Sequence, residues 1–119
     1  MDTSKTYIKM CDKAEEIQQT WHWQEGDFYA VDRVETYDLY VVTTPSPKGV
    51  NIWLPRQDQL QAMLVGHFVD STPRKLVKAL WDWIAETAPP SNYSMEQLWL
   101  AFVMKEKYSK HWEDEKWKL

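Results

Sequence analysis

One segment constrains the fold more than any other, because it combines a helix start with the most apolar stretch of the chain. Ser94 and Gln97 have the spacing of a capping box, in which each side chain bonds the backbone N–H of the other residue. In the segment 95–104, apolar residues occupy more than one side of the helix; they are Leu98, Trp99, Leu100, Ala101, Phe102, Val103 and Met104. We therefore predict a helix that is buried on most sides, at the centre of the fold or against a partner.

Three further helices are predicted by apolar residues at steps of three and four. The first runs from residue 2 or 3 to about residue 21, and the second covers 56–65, where Gly66 is placed to end it in the left-handed conformation. The third begins at Thr72-Pro73, a hydroxyl cap before a proline at the first helical position, and ends at about Ala88. Its predicted buried stripe consists of Leu76, Val77, Leu80, Trp81 and Ile84.

Strands are predicted between the first and second helices. Residues 28–31, 34–43 and 50–54 are rich in β-branched and aromatic types, which favour extended backbone. The segment 44–49 contains two prolines and closes with Gly49, a composition typical of a turn. These three segments predict a small antiparallel β-meander.

Length and composition then set the fold class. The chain has 119 residues, of which 44% are apolar and 27% are charged, so it is long enough for one core but too short for two. We predict a single α+β domain in which the meander of about three strands packs with about four helices. Residues 1–109 form this domain, and residues 110–119 are expected to be a polar C-terminal tail or a short docked helix.

The charge balance and the single cysteine limit the classes of partner. Fourteen basic and eighteen acidic residues give a net charge of -4, so no global cationic field attracts nucleic acid and non-specific binding is disfavoured. Cys11 lies on the apolar stripe of the first helix, which predicts a buried thiol and no internal disulfide. The N-terminus has no secretory pattern, and no apolar run is long enough to span a membrane, so we expect a cytoplasmic protein.

Residues with catalytic or ligating chemistry are scattered along the sequence. His22, His67 and His111 lie on three different elements without helical pair spacing, so we expect no metal site. The three glycines are isolated, which leaves no phosphate-binding loop, and we expect no cofactor. Neighbouring carboxylates such as Glu15 and Glu16 point in different directions on a helix, which favours solvated faces over acid–base pairs. No catalytic residue is therefore assigned.

The start of the second helix is the strongest candidate for ligand binding. Trp53 ends a strand, and Arg56 and Gln57 open the helix, so an aromatic ring, a guanidinium and free backbone N–H groups come together. Arg74 and Lys75 repeat this pattern at the next helix start. The alternative is a structural role. In that case Trp53 packs in the core, and Asp58 in the first turn interacts favourably with the positive end of the helix dipole.

Eight tryptophans are a large number for this length, and their predicted positions differ. Three lie on helical apolar stripes and are expected in the core: Trp21, Trp81 and Trp99. Trp23 and Trp83 lie off those stripes, and Trp112 and Trp117 lie in a polar segment. We predict that Trp83, Trp112 and Trp117 belong to an interface with a partner.

Three segments resemble small uncharacterised proteins encoded by bacteriophages and prophages of Firmicutes. They are Tyr7–Gln18, Asn51–Leu64 with its Trp-Leu-Pro-Arg-Gln-Asp-Gln-Leu motif, and Ser94–Tyr108, together about a third of the chain. The resemblance implies a phage accessory protein that acts in the cytoplasm of a bacterial host. It assigns no functional residue.

Several functions are consistent with these features. We expect a non-enzymatic binding protein that interferes with host defence or regulation, by binding a host protein or by sequestering a nucleotide-like signal. Two alternatives are a small enzyme that acts on nucleotides or nucleic acid through residues brought together by the fold, and a structural or packaging component of the phage. A homo-oligomer is a further candidate assembly.

Overall fold

The structure is a computed structural model that describes residues 1–43, 51–68 and 72–119. Within these ranges the chain forms five helices and five strands, in the order α1 (Lys5–Lys13), α2 (Glu15–Gln18), β1 (Phe28–Asp32), β2 (Tyr37–Val41), β3 (Asn51–Leu54), α3 (Gln57–Ala62), α4 (Pro73–Thr87), α5 (Met95–Tyr108), β4 (His111–Glu113) and β5 (Lys116–Lys118). A three-stranded and a two-stranded antiparallel sheet pack with the helices around one hydrophobic core. The predicted α+β class is confirmed.

Helix α5 is the centre of this core, as its apolar circumference predicts. The capping box forms, since Gln97 N–H donates to Ser94 Oγ at 3.1 Å and Ser94 N–H donates to Gln97 Oε1 at 2.9 Å. The helix contacts α1, α3, α4 and β4. Its buried residues therefore cover most of its circumference; they include Trp99, Leu100, Ala101, Phe102, Val103 and Met104.

The predicted first helix is interrupted at Ala14, whose backbone is not helical (φ -85°, ψ 71°). Beyond the break, the side-chain amide of Gln18 turns inward and donates to the carbonyls of Cys11 at 3.0 Å and Trp53 at 2.9 Å. Its Oε1 accepts the N–H of Trp53 at 2.8 Å. One amide therefore pairs both backbone polar groups of Trp53 in β3, and helical periodicity in the sequence does not predict this tertiary contact.

The strand order differs from a meander. β1 is the central strand, paired with β2 on one side and with β3 on the other, so the order is β2-β1-β3. β2 is also shorter than predicted, because Arg33 N–H donates to the Thr36 carbonyl at 2.8 Å and closes a turn where the strand was expected to begin. The physical reason for the order is burial: β3 contributes Ile52, Trp53 and Leu54 to the core, whereas β2 is largely exposed.

The predicted turn over 44–49 and the first residue of the predicted third strand, Val50, lie outside the described residues.

Helix α4 has its predicted ends but a different buried face. Leu76 and Leu80 are buried, but Val77 is 59% and Trp81 is 66% exposed, so their predicted places on the buried stripe are wrong. Ile84 packs against the core as predicted, and Trp83 does so as well. At 100° per residue, the centre of this face lies roughly 50° around the helix from the predicted one. The reason is that α5 approaches α4 from the side on which Trp83, not Trp81, projects.

Residues 110–119 form neither a free tail nor a helix, but a β-hairpin of β4 and β5. Trp112 and Trp117 lie directly opposite each other, with ring centroids 5.1 Å apart. The two turn residues, Asp114 and Glu115, both have positive φ (54° and 58°), which a two-residue type I′ turn requires. The cross-strand indole pair and this turn explain why a charged segment is extended here.

Candidate functional site

The site predicted from sequence, at the start of α3, is filled by the protein's own side chains. Trp53 is 6% exposed, and its ring stacks on Trp21 with centroids 6.0 Å apart and planes 3° apart. Trp53 therefore packs in the core, as the alternative to a ligand-binding role predicts. The neighbouring cavity, of about 370 Å³, is lined by both indoles and by Asp27 and Gln59.

Asp27 organises this region, which we call the Asp27 network (Trp21, Gln24, Asp27, Arg56 and Gln59). The carboxylate is 4% exposed and accepts hydrogen bonds from Trp21 Nε1 at 3.0 Å, the backbone N–H of Gln24 at 2.9 Å and Gln59 Nε2 at 2.8 Å. Arg56 Nη1 lies 3.5 Å from it. Burial by itself would raise the pKa of Asp27, but the hydrogen bonds, led by that from Trp21, hold the pKa below its usual value. The network thus holds a charged carboxylate inside the fold.

The other predicted ligand-binding residues do not converge on one point. Arg56 donates to the carbonyl of Gly26 at 3.1 Å and to Asp58 at 3.1 Å, so its guanidinium is engaged within the protein. Gln57 is half-buried at the first position of α3, whereas Arg74 and Lys75 are exposed at the start of α4. Ligand binding by these residues stays a prediction.

A second region lies at the C-terminal ends of α4 and α5, where the two helices and the hairpin meet. α4 ends at Ala88 in the left-handed conformation (φ 46°), and Pro89-Pro90 follow it. α5 ends at Ser109, also left-handed (φ 56°), and the chain enters β4 at once. These two stops leave a cavity of about 480 Å³, which we call the C-terminal groove and define by Trp83, Tyr93, Lys105, His111 and Trp112.

The hairpin wall of the groove is fixed to α1 and α2 by polar contacts. Trp117 Nε1 donates to the carbonyl of Met10 at 2.9 Å, and Lys110 pairs with Glu16 at 2.6 Å. Burial would raise the pKa of Glu16, but the hydrogen bond from Lys110 lowers it below its usual value. These bonds hold Trp112 in place, since it lies between Lys110 and Trp117 in the same hairpin.

The aromatic lining of the groove is supported from within the core. Trp83 packs on Phe102 of the same chain with ring centroids 5.6 Å apart, and it is half-buried. Trp112 rests on Trp117. Both groove indoles are therefore held by a second ring on one side while they border the cavity on the other.

The basic side chains of the groove differ in their partners. Lys110 pairs with Glu16, and His111 lies 2.9 Å from Glu113. The ammonium of Lys105 has no ion pair among the described residues. Lys105 is also exposed, on the last turn of α5. Among the described residues that line the groove, none is Asp or Glu.

The structure brings together two of the three tryptophans that the sequence assigned to an interface. Trp83 and Trp112 line the same groove, although they are 29 positions apart, and Trp117 supports Trp112 from behind. An interface role for these residues stays a prediction. Sequence reasoning missed Lys105 and Tyr93 as neighbours of this region. The position of Lys105 in the last helical turn, close to two helix stops, was the available signal.

The remaining reactive groups are placed as follows. Cys11 is fully buried, as predicted, and burial raises the pKa of its thiol. Within residues 1–43, 51–68 and 72–119, no group of three or more His, Cys, Asp or Glu side chains is placed to hold a metal ion. In the same ranges, every helix is too short or too polar to cross a bilayer.

Comparisons with protein-family models, with curated proteins and with solved structures found no match to this chain.

Proposed function

We propose that this chain is a non-enzymatic binding protein, a phage or prophage accessory protein that interferes with host defence or regulation by holding a host component in the C-terminal groove. The observation that carries the proposal is the convergence of Trp83, Trp112 and Lys105 on one cavity of about 480 Å³. That volume lies within the roughly 300–1,000 Å³ of typical small-molecule sites. The resemblance of three segments to phage and prophage proteins supplies the biological context.

The physical support is the rigidity of the groove walls. Indoles that pack on a second ring lose little side-chain freedom on binding, so contact with a ligand costs less ordering entropy. Trp83 is backed by Phe102 and Trp112 by Trp117, which gives the groove two preformed aromatic surfaces. Aromatic residues of this kind supply much of the binding energy at protein interfaces and ligand sites.

The proposal is tested by expressing the protein in Firmicutes strains that carry single defence systems and measuring the plating efficiency of a phage that each system blocks. We expect the wild-type protein to restore plaques on one strain. Trp112→Ala removes one aromatic wall and Lys105→Glu reverses the charge without touching the hairpin, so both variants are expected to lose the effect. Trp23→Ala is the matched control, because Trp23 is 42% exposed and does not line the groove.

Two results would contradict this function. If the wild-type protein restores plaques and both groove variants do so equally well, the groove is not the acting surface. If the wild-type protein protects no phage on any strain of the panel, the anti-defence role is wrong. Thermal unfolding followed by circular dichroism shows in each case whether a variant is folded.

A further inference from the structure

The C-terminal groove combines flat aromatic surfaces with an available positive charge. Trp83, Tyr93 and Trp112 contribute three aromatic side chains from three different segments of the chain. Aromatic rings at a cavity wall bind planar groups by stacking, with little dependence on which ring is bound. This part of the groove is therefore suited to a planar ring system.

The side chains that line the groove include basic residues, although the whole chain has a net negative charge. The protein carries a net charge of -4, yet the described groove lining includes Lys105, Lys110 and His111 and no acidic side chain. Lys110 and His111 already face Glu16 and Glu113. Lys105 has no such partner among the described residues, so its ammonium is available to an anion. A lysine binds phosphate as a point charge and needs no fork geometry.

We infer that the C-terminal groove binds a small ring-bearing anion of the mononucleotide class, with the base against Trp112 and Trp83 and the phosphate at Lys105. This inference rests on the proposed function and names the ligand of the same site. The cavity is bounded by α4, α5 and the hairpin, and its volume suits a small molecule better than the flat contact of a protein partner.

The cavity beside the Asp27 network is the competing site, and its chemistry is wrong for such a ligand. It is also lined by two tryptophans, Trp21 and Trp53, but these stack on each other. Its carboxylate is held charged by four donors, including Arg56, so an incoming phosphate would meet negative charge where the cation is already engaged. A ring-bearing anion is therefore expected at the C-terminal groove.

The experiment titrates the full chain by isothermal calorimetry with AMP, GMP, CMP and UMP, then with the nucleoside of each mononucleotide that binds and with inorganic phosphate. We expect at least one mononucleotide to bind, and its nucleoside to bind at least about tenfold more weakly, because a hydrogen bond to a charged group contributes that much. Lys105→Ala should reduce mononucleotide binding to the level of the nucleoside. Trp112→Ala should weaken binding of both about tenfold or more through lost stacking.

The matched control is Lys13→Ala, which removes an exposed lysine from the last turn of α1, as Lys105 lies in the last turn of α5. Arg56→Ala in the Asp27 network tests the competing cavity. Both should bind the mononucleotide like the wild type. If Arg56→Ala abolishes binding while Lys105→Ala does not, the site is wrong. If no mononucleotide binds at millimolar concentration, or if an acidic peptide containing a tryptophan binds in their place, the ligand class is wrong.

These failures are distinguishable from failure of the proposed function. When the plating assay still depends on Trp112 and Lys105 but no mononucleotide binds, the groove acts on another ligand and only the ligand class is overturned. When mononucleotides bind with the expected dependence on Lys105 but the variants do not alter plating, the ligand site stands and the anti-defence function is overturned.

Discussion

The Asp27 network and the C-terminal groove are built from the same kinds of residue but differ in where their polar groups find partners. Each combines tryptophans with a cationic side chain at a helix end. In the network, Arg56 contacts Asp27, Asp58 and the carbonyl of Gly26, and Trp21 covers Trp53. In the groove, the indoles rest on rings behind them, and Lys105 has no ion pair among the described residues.

The difference shows that residue type at a helix end does not by itself predict a binding site. A cation and an indole stabilise the fold when a buried carboxylate lies within reach, because that carboxylate needs hydrogen-bond donors and a positive charge from the protein itself. The same pair is available to a ligand where no described carboxylate forms an ion pair with the cation. Substitutions in the network should therefore change stability, and substitutions in the groove should change binding.

The largest effect is expected for Asp27→Ala. This change leaves the donors of Trp21, Gln24 and Gln59 without their shared acceptor. An unsatisfied donor costs about 1–3 kcal/mol where it is buried, and these three are only partly buried. We expect a loss of roughly 3 kcal/mol in the free energy of unfolding, since the donors regain part of this cost by reaching water. Urea denaturation measures it, and an unchanged midpoint would show that the network is dispensable.

The pH dependence of stability should report the same carboxylate. Because the folded pKa of Asp27 lies below its ordinary value of 3.8, its charge stabilises the fold above that pH. This contribution is lost as the pH falls below 3.8 through the lowered folded pKa. Urea midpoints of the wild type should therefore decrease more steeply at acid pH than those of Asp27→Asn, which cannot titrate at this position. Parallel curves for the two proteins would contradict the lowered pKa.

In the groove, Trp112→Ala should cost about 1 kcal/mol of stability, which is the value of an aromatic cross-strand pair. The loss is smaller than in the network because the hairpin keeps its turn and the bond from Trp117 to Met10. Urea denaturation with Trp81→Ala as control gives the comparison, since Trp81 is mostly exposed. A loss of unfolding free energy as large as that of Asp27→Ala would contradict this and show that the hairpin contributes as much to stability as the Asp27 network.

The smallest effect is expected for Lys105→Ala, which should change the free energy of unfolding by no more than about 0.5 kcal/mol. The ammonium has no ion pair among the described residues, and only its position near the helix C-terminus contributes. Arg56→Ala, which removes three polar contacts, should cost about 1–2 kcal/mol by the same measurement. Equal losses for the two variants would remove the distinction between the regions.

Local signals in the sequence predicted most elements of the fold. Gly66 is left-handed (φ 85°), but α3 already ends at Ala62, so the predicted helix over 56–65 with its end at Gly66 is wrong. The Ser94 capping box and Pro73 at the start of α4 occur where the sequence places them. These signals depend on a few neighbouring residues, so they are readable without the rest of the chain. The hairpin was missed because its turn uses Asp114 and Glu115, which lack the glycine that usually marks positive φ.

The candidate site was less predictable, because its residues are distant in sequence. Trp83 stands out by its position off the apolar stripe of its helix and Trp112 by its place in a polar segment, but nothing in the sequence places them at one cavity. Trp81 and Trp83 show most clearly that helical periodicity does not decide which side chain is buried. They are two positions apart, and which of them faces the core depends on the side from which α5 approaches.

By itself, the sequence determined the α+β class, the central apolar helix and the starts of α3, α4 and α5, because apolar periodicity and caps act over a few residues. The tertiary structure decided the strand order, the inward face of α4 and the partners of each cation. It decided them because pairing and burial depend on which distant segments meet. The fold brings Arg56 into ion-pair contact with Asp27, whereas the described structure places no carboxylate in ion-pair contact with Lys105.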